Sequence, residues 1–241
     1  MKASTLGLDR ILRTVSDFLT DKMVPFPMVT LNLFLMYEGS MKISIIAFDE
    51  FTDIDVWLMW DLLKRVKNRG WQIKILGEKD SVVSQTGIII PTHGNLNEAN
   101  TSDVVLFTSG PGTRKKIQDQ TFLSSFDLRP EKQLIGSMCS GSLILAALGV
   151  LKPGDRATTY PTAVKLLKEY QIQVVEESLV VNGNVATAAG CLAAQSLVKW
   201  VIERLVNKNL SEIVINSIQP VGQGLSFNEG EWDALYSTPA P

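Results

Sequence analysis

The feature that most constrains this chain is an alternation of short apolar segments with longer segments of helical periodicity, starting at Met41. The apolar segments are rich in Val, Ile and Leu, as expected of parallel strands that are buried on both faces. Strands alternating with helices indicate a parallel sheet covered by helices on both sides. The clearest strand segments are KISIIAF, WQIKIL, DVVLFTSG and KQLIGSMC.

The intervening segments predict helices, and one short segment predicts a hairpin. DVWLMWDLLKRVKNRG has helical periodicity and is closed by Gly70, and VVNGNV predicts a hairpin around Asn182-Gly183. Ligands of such sheets bind beyond the carboxyl ends of the strands. Three strand-ending loops are therefore expected to form a site: FDEFTDID, TSGPGT and SMCSGS. Further helices are predicted at SGSLILAALGVL, AVKLLKEY and AAQSLVKWVIERLV.

Composition excludes several functional classes. Of 241 residues, 45% are hydrophobic and 20% charged, and the net charge of -2 with no basic cluster disfavours nucleic-acid binding. Cys139 and Cys191 are the two cysteines, too few for a disulfide framework, and the spacings of a metal site are absent. We therefore expect a protein of the reducing cytoplasm with no metal.

Residues 1–40 differ from the remainder and predict an N-terminal extension to a domain spanning 41–241. The segment LDRILRTVSDFL places apolar residues on one helical face, and VPFPMVTLNLFLMY follows it. The second segment is too short for a membrane span and is broken by Pro25 and Pro27. A helix that packs on the body or on a partner subunit is expected, with a membrane-surface helix as the alternative.

Cys139 lies where an apolar strand meets a helix, between the small residues of GSM and SGS. This is the nucleophile-elbow arrangement of G-x-S-x-G enzymes, with cysteine in place of serine. The start of the following helix is expected to favour the thiolate, and the Ser140 N–H is expected to face a developing oxyanion. The alternative is a small cysteine that only fills the core.

From Met41 to the long C-terminal helix, the chain resembles the ThiJ/PfpI branch of the class I glutamine amidotransferase-like superfamily. Within that branch it is most similar to isonitrile (isocyanide) hydratases and to the related domain of AraC-type regulators. The resemblance implies a flavodoxin-like three-layer fold, a homodimer, and no metal or organic cofactor. It rests on FDEFTDIDVWLMWDLL, SDVVLFTSGPGT, SMCSGSLILAALGVLKPGDRATTY and VVNGNVATAAG.

The resemblance also implies roles for individual residues. Cys139 is the expected nucleophile, and Asp55 matches the acid of the hydratase Leu-Asp pair, here Ile54-Asp55. Gly110 matches the second glycine of the family's oxyanion loop, whose N–H would join that of Ser140. Ser109 replaces the first glycine of that loop.

Other partners for the thiol are less favoured. His93, the single histidine, stands in a polar loop, so a Cys-His peptidase is not expected. Asp53 is the fallback acid two residues from Asp55, whereas Asp49 and Glu50 are interpreted as loop or helix-start charges.

Several positions depart from the family pattern or bear on the pocket. Trp57 could narrow a pocket for small hydrophobic substrates, or it could fill the core together with Met59. Tyr160 stands where relatives often carry histidine, and Ser109, Thr158 and Thr159 are further predicted pocket residues. Cys191, in an alanine-rich segment, is interpreted as structural.

The sequence thus predicts a cofactor-free isonitrile hydratase that acts on a small hydrophobic molecule. Two alternatives remain open. One is a ligand- or redox-sensing domain without enzymatic activity, and the other is a glyoxalase or deglycase on the same scaffold. Neither nucleic acid nor a membrane is expected as a partner.

Overall fold

The computed structural model describes residues 41–67 and 69–228, together with Gly230, Trp232 and Leu235. The predicted N-terminal extension, residues 1–40, lies outside this part of the chain, so its predicted helix and the domain boundary stay predictions. No helix within the described residues has the length and apolar character needed to cross a membrane.

A seven-stranded sheet forms the centre of the described chain, with strand order β10-β11-β7-β6-β1-β2-β5. Every neighbouring pair is parallel except β10 and β11, which form an antiparallel hairpin. Two small ladders, β3-β4 and β8-β9, lie outside this sheet. The strands are β1 Lys42–Ile46, β2 Gln72–Gly77, β3 Ser81–Val83, β4 Ile89–Pro91, β5 Gly94–Asn95, β6 Val104–Phe107, β7 Leu134–Met138, β8 Arg156–Ala157, β9 Gln173–Val174, β10 Leu179–Asn182 and β11 Val185–Ala188.

Seven α-helices accompany these strands within the described residues, and short 3-10 turns precede several of them. The 3-10 turns cover Leu96–Thr101, Cys139–Gly141, Pro161–Ala163 and Cys191–Ala193. The helices are α1 Asp53–Lys64, α2 Thr113–Lys116, α3 Gln120–Ser124, α4 Ser142–Ala147, α5 Val164–Glu169, α6 Ala194–Leu205 and α7 Lys208–Asn216.

The two faces of the sheet bury separate hydrophobic clusters. Along β6, Val104 and Leu106 belong to the cluster that contains α1 and α6, whereas Val105 and Phe107 belong to the cluster that contains α3, α4 and α5. This division follows from the two-residue period of strand side chains. The predicted α/β fold with a mostly parallel sheet between two helical layers is confirmed.

The helix that follows the elbow is shorter than the sequence pattern predicts. It ends at Ala147, because Gly149 adopts φ 68° and the N–H groups of Val150 and Leu151 turn back to the carbonyl of Leu145. A glycine with positive φ is a common helix terminator. The segment GVL therefore leaves the helix axis and packs Val150 and Leu151 into the core.

Leu197 of α6 is fully buried and packs against Gly136 of β7, where a Cβ would lie 2.9 Å from its Cδ1 atom. We predict that Leu197→Ala lowers the free energy of unfolding by about 2–5 kcal/mol, because it leaves a cavity between α6 and the sheet. Leu192 is 67% exposed, so the matched change Leu192→Ala is expected to stay within about 0.5 kcal/mol. Chemical denaturation measures both, and equal losses would contradict this packing.

Candidate active site

Cys139 follows β7 directly and adopts φ 44°, a left-handed conformation that is strained for a residue with a side chain. The conformation is held by its surroundings, because the Cys139 carbonyl accepts hydrogen bonds from the hydroxyls of Ser142 and Thr159, each at 3.1 Å. The residue itself is buried. The predicted elbow is therefore present, with the thiol at the carboxyl end of a central strand.

Two glycines let neighbouring loops approach this elbow. A Cβ on Gly141 would lie 2.6 Å from the Thr108 carbonyl oxygen, and one on Gly110 would lie 2.1 Å from the Glu50 carbonyl oxygen. Gly110 also adopts φ 143°. Any side chain at these positions would push apart the loops that follow β1, β6 and β7.

Asp55 lies in the first turn of α1 and is completely buried. Its Oδ2 atom accepts hydrogen bonds from the backbone N–H of Ser109 at 3.0 Å and from the Ser109 hydroxyl at 2.5 Å. Within the described chain, Oδ1 has no hydrogen-bond partner. Ser109 thus fixes one oxygen of the carboxylate and leaves the other free to face the thiols.

Asp55, Cys139 and Cys191 form one cluster, in which a carboxylate oxygen and the two Sγ atoms all lie within 4.8 Å of one another. Asp55 is thus the carboxylate beside the thiol, and the fallback Asp53 is not in this cluster. The second thiol differs from the sequence interpretation, which assigned Cys191 to packing. It reaches the cluster because β11 runs parallel to β7 with Ala188 opposite Met138, so both strands end at the same edge.

The environment of the cluster favours the neutral forms of its acids. Burial raises the pKa of Asp55, although hydrogen bonds from Ser109, and after them the nearby Cys191 thiol, act in the opposite direction. Burial, followed by the negative charges of Asp55 and Cys191, raises the pKa of Cys139 to about 12. These causes oppose the thiolate form that the helix start is expected to favour, and that expectation stays a prediction.

A cavity of about 400 Å³ opens onto the Cys139 sulfur. Five predicted site residues line it: Cys139, Ser109, Gly110, Ser140 and Tyr160. The other lining residues were not found from the sequence, and they are Thr52, Gln85, Pro111, Arg114, Thr162 and Cys191.

Arg114 is the cationic residue that sequence reasoning missed. Its guanidinium donates to the carbonyl and to the hydroxyl of Thr162, at 3.1 and 3.0 Å. The sequence feature that could have identified Arg114 is its position four residues after Gly110, in the first turn of the helix that follows the oxyanion loop. With Gln85 and Thr52 it makes the cavity lining mixed rather than apolar.

The structure places the predicted oxyanion residues together. The Gly110 N–H donates to the Ser140 hydroxyl at 3.4 Å, and that hydroxyl contacts the Thr113 hydroxyl at 3.2 Å. Ser140 therefore ties the oxyanion loop to the elbow. The long Gly110 contact is one that a better acceptor in the cavity would displace.

Three predicted pocket residues lie elsewhere. Trp57 is 43% exposed and lies on the opposite side of α1 from the buried Val56 and Met59, so it neither lines the cavity nor fills the core. Thr158 and Thr159 are buried behind the elbow, where Thr158 N–H donates to the Thr187 hydroxyl at 2.9 Å. Thr159 supports the Cys139 carbonyl through its hydroxyl, and both threonines line a second cavity of about 880 Å³ that also reaches Tyr160.

The remaining charged and imidazole candidates have partners outside the cluster. His93 accepts a hydrogen bond from the Ile75 N–H at Nδ1 (2.9 Å), and its ring stacks on Trp60. The Asp53 carboxylate accepts from the Thr86 hydroxyl at 2.8 Å. Asp49 and Glu50 form ion pairs with Lys79 and Lys115, at 3.0 and 2.5 Å.

We predict that alkylation of Cys139 by iodoacetamide is slow at neutral pH and keeps accelerating well above roughly pH 8, since the thiolate fraction grows about tenfold per pH unit below the pKa. Asp55→Asn removes a charge that raises the Cys139 pKa, so it should speed alkylation at a fixed pH. Peptide mass spectrometry separates Cys139 from Cys191.

Asp53→Asn is the matched control and should leave that rate within about twofold, because Asp53 lies outside the cluster. A rate for the wild-type protein that levels off below roughly pH 8 would show a stable thiolate and contradict the assignment.

Comparison with known proteins finds relatives of this chain by sequence and by fold. The chain is 25% identical to the isonitrile hydratase of Pseudomonas putida over 178 residues, which cover 73% of this chain and 76% of that protein. Its fold matches a ThiJ/PfpI family protein from Pseudomonas syringae with a TM-score of 0.69 and 22% identity, covering 88% and 87% of the two chains.

Two further solved structures share the fold. Schizosaccharomyces pombe DJ-1 matches with a TM-score of 0.64 and 17% identity, over 75% of this chain and all of that one. An AraC family transcriptional regulator from Pseudomonas putida matches with a TM-score of 0.64 and 18% identity, over 74% of this chain and all of that one. The DJ-1/PfpI family model matches residues 41–204, well over half of the sequence, and the chain therefore belongs to the DJ-1/PfpI family.

Proposed function

We propose that the protein is a cysteine-dependent isonitrile hydratase that needs no cofactor and converts isonitriles to N-substituted formamides. One observation carries the proposal: the Cys139 thiol and the buried Asp55 carboxylate lie together beside a cavity that opens onto the sulfur. Hydration of an isonitrile requires both a nucleophile and a proton delivered to the same carbon. The similarity to the Pseudomonas putida isonitrile hydratase supports this choice among the activities of the family.

In the first step the Cys139 sulfur attacks the terminal carbon of the isonitrile. The thiol proton passes through Asp55 to that carbon, so a C–S bond and a C–H bond form and a neutral thioimidate results. Because Ser109 holds Oδ2, the oxygen that relays the proton is Oδ1. A thiol that stays protonated at rest suits this step, since it brings both the sulfur and the proton.

In the second step water adds to the thioimidate carbon, and Asp55 accepts one water proton and passes it to the nitrogen, which gives a tetrahedral intermediate with an N–H and a hydroxyl group. The intermediate then collapses: the C–S bond breaks as the C=O bond forms, and the hydroxyl proton passes to the sulfur, which releases the formamide and restores the thiol. The N–H of Gly110 and the backbone of Ser140 are proposed to stabilise the oxygen that derives from water. The hydrogen bond from the Gly110 N–H to the Ser140 hydroxyl, which holds the two loops together beside the cavity, supports that role.

The substrate is proposed to be a small hydrophobic isonitrile that enters beside Tyr160 and Pro111. A homodimer and a cytoplasmic location belong to the same proposal and stay predictions. Redox sensing is the second candidate function, and the observation that favours it is the closeness of the Cys139 and Cys191 thiols.

We predict that wild-type protein in the presence of a chelator hydrates an alkyl or aryl isonitrile. Cys139→Ala should abolish turnover because it removes the nucleophile, and Asp55→Asn should lower kcat by at least about a hundredfold because it removes the proton relay. Ultraviolet absorbance of the isonitrile and chromatographic detection of the formamide measure the reaction. Asp53→Asn, the matched control, should retain turnover.

Retained turnover in Cys139→Ala would overturn the mechanism. Absence of turnover in the wild-type protein, combined with peroxide oxidation of Cys139, would instead favour the sensor.

A further inference from the structure

We propose that Cys139, Cys191 and Asp55 form an inhibitory binding site for a thiophilic divalent cation, for which Zn²⁺ is the physiological example. The three side chains come from three different strand–helix connections, after β1, β7 and β11. Their donor atoms all lie within 4.8 Å of one another. Around a tetrahedral zinc ion with bonds of about 2.0–2.3 Å, such atoms are roughly 3.5–3.8 Å apart. Small side-chain rotations therefore bring them to ligand distance.

The orientation of Asp55 points to a ligand independently of that closeness. The side chain is completely buried, and Oδ1 has no hydrogen-bond partner within the described chain. Ser109 holds the other oxygen through its N–H and its hydroxyl. A ligating carboxylate held in this way by outer hydrogen bonds is characteristic of metal sites.

Charge and access also fit a cation of this class. Binding a divalent ion releases the two thiol protons, and the charge of the ion offsets the repulsion between the two thiolates and the carboxylate that result. Thiolate donors select Zn²⁺ or Cd²⁺ over Mg²⁺ or Ca²⁺, which prefer oxygen. The cavity beside Cys139 supplies an entry path and room for water as a fourth ligand.

The sequence alone predicts no metal, because the donors show none of the spacings by which metal sites are recognised. Residues 55, 139 and 191 are brought together only by the parallel pairing of their strands. The inhibitory effect rests on the proposed function, since the ion would occupy the sulfur that attacks the isonitrile. Binding itself does not depend on that function.

The test uses reduced full-length protein, a phosphine reductant, and Cd²⁺ as the probe. We expect one ion to bind per chain, with near-ultraviolet thiolate-to-cadmium absorbance that saturates at one equivalent. Cys191→Ser should roughly halve the absorbance per bound ion and weaken affinity by at least about tenfold. Asp55→Asn should weaken affinity while keeping the absorbance, and Asp53→Asn is the matched control with unchanged binding.

A second measurement needs no variant. One equivalent of Zn²⁺ should slow alkylation of both Cys139 and Cys191 by at least about tenfold, reversibly on addition of a chelator. Absence of the thiolate band at one equivalent of Cd²⁺, or protection of Cys139 alone, would overturn the site. Neither readout uses an isonitrile, so failure of this proposal is distinguishable from failure of the hydratase mechanism.

Discussion

The desolvated pair of Asp55 and Cys139 is the interaction on which the rest of the site depends. Two hydrogen bonds from Ser109 hold the carboxylate, while the strained backbone at Cys139 holds the sulfur next to it. Burial raises the pKa of both groups and so disfavours their charged forms, which suits a pair that shares a proton. The surrounding fold is arranged to maintain that contact at the carboxyl ends of parallel strands.

Ser109 stands where the resemblance to the family leads us to expect the first glycine of the oxyanion loop. Its contacts with Asp55 explain the serine at this position. The sequence alone presents it as a departure that disturbs an oxyanion hole. In the structure its N–H and hydroxyl both donate to Asp55, so the loop after β6 orients the acid as well as the oxyanion donors. In the proposed mechanism this loop therefore couples the proton relay to the stabilisation of negative charge.

The fold and the elbow were predictable because their signals are local. Buried parallel strands read as apolar segments, and a cysteine between small residues at a strand end marks a tight turn. The closeness of Cys191 to Cys139 was missed because it depends on the register of β11 against β7, which no local sequence pattern shows. Trp57 was misplaced because helical phase decides which side of α1 it occupies, and the desolvation of Cys139 depends on packing that no local sequence pattern shows.

The most direct test of the account is intact-mass spectrometry of wild-type protein quenched with acid during turnover of an isonitrile. The account predicts a covalent adduct whose mass equals that of one isonitrile, located on Cys139 and absent in Cys139→Ala. Turnover with no adduct under any quench time, or an adduct carried by Cys191 instead, would contradict it.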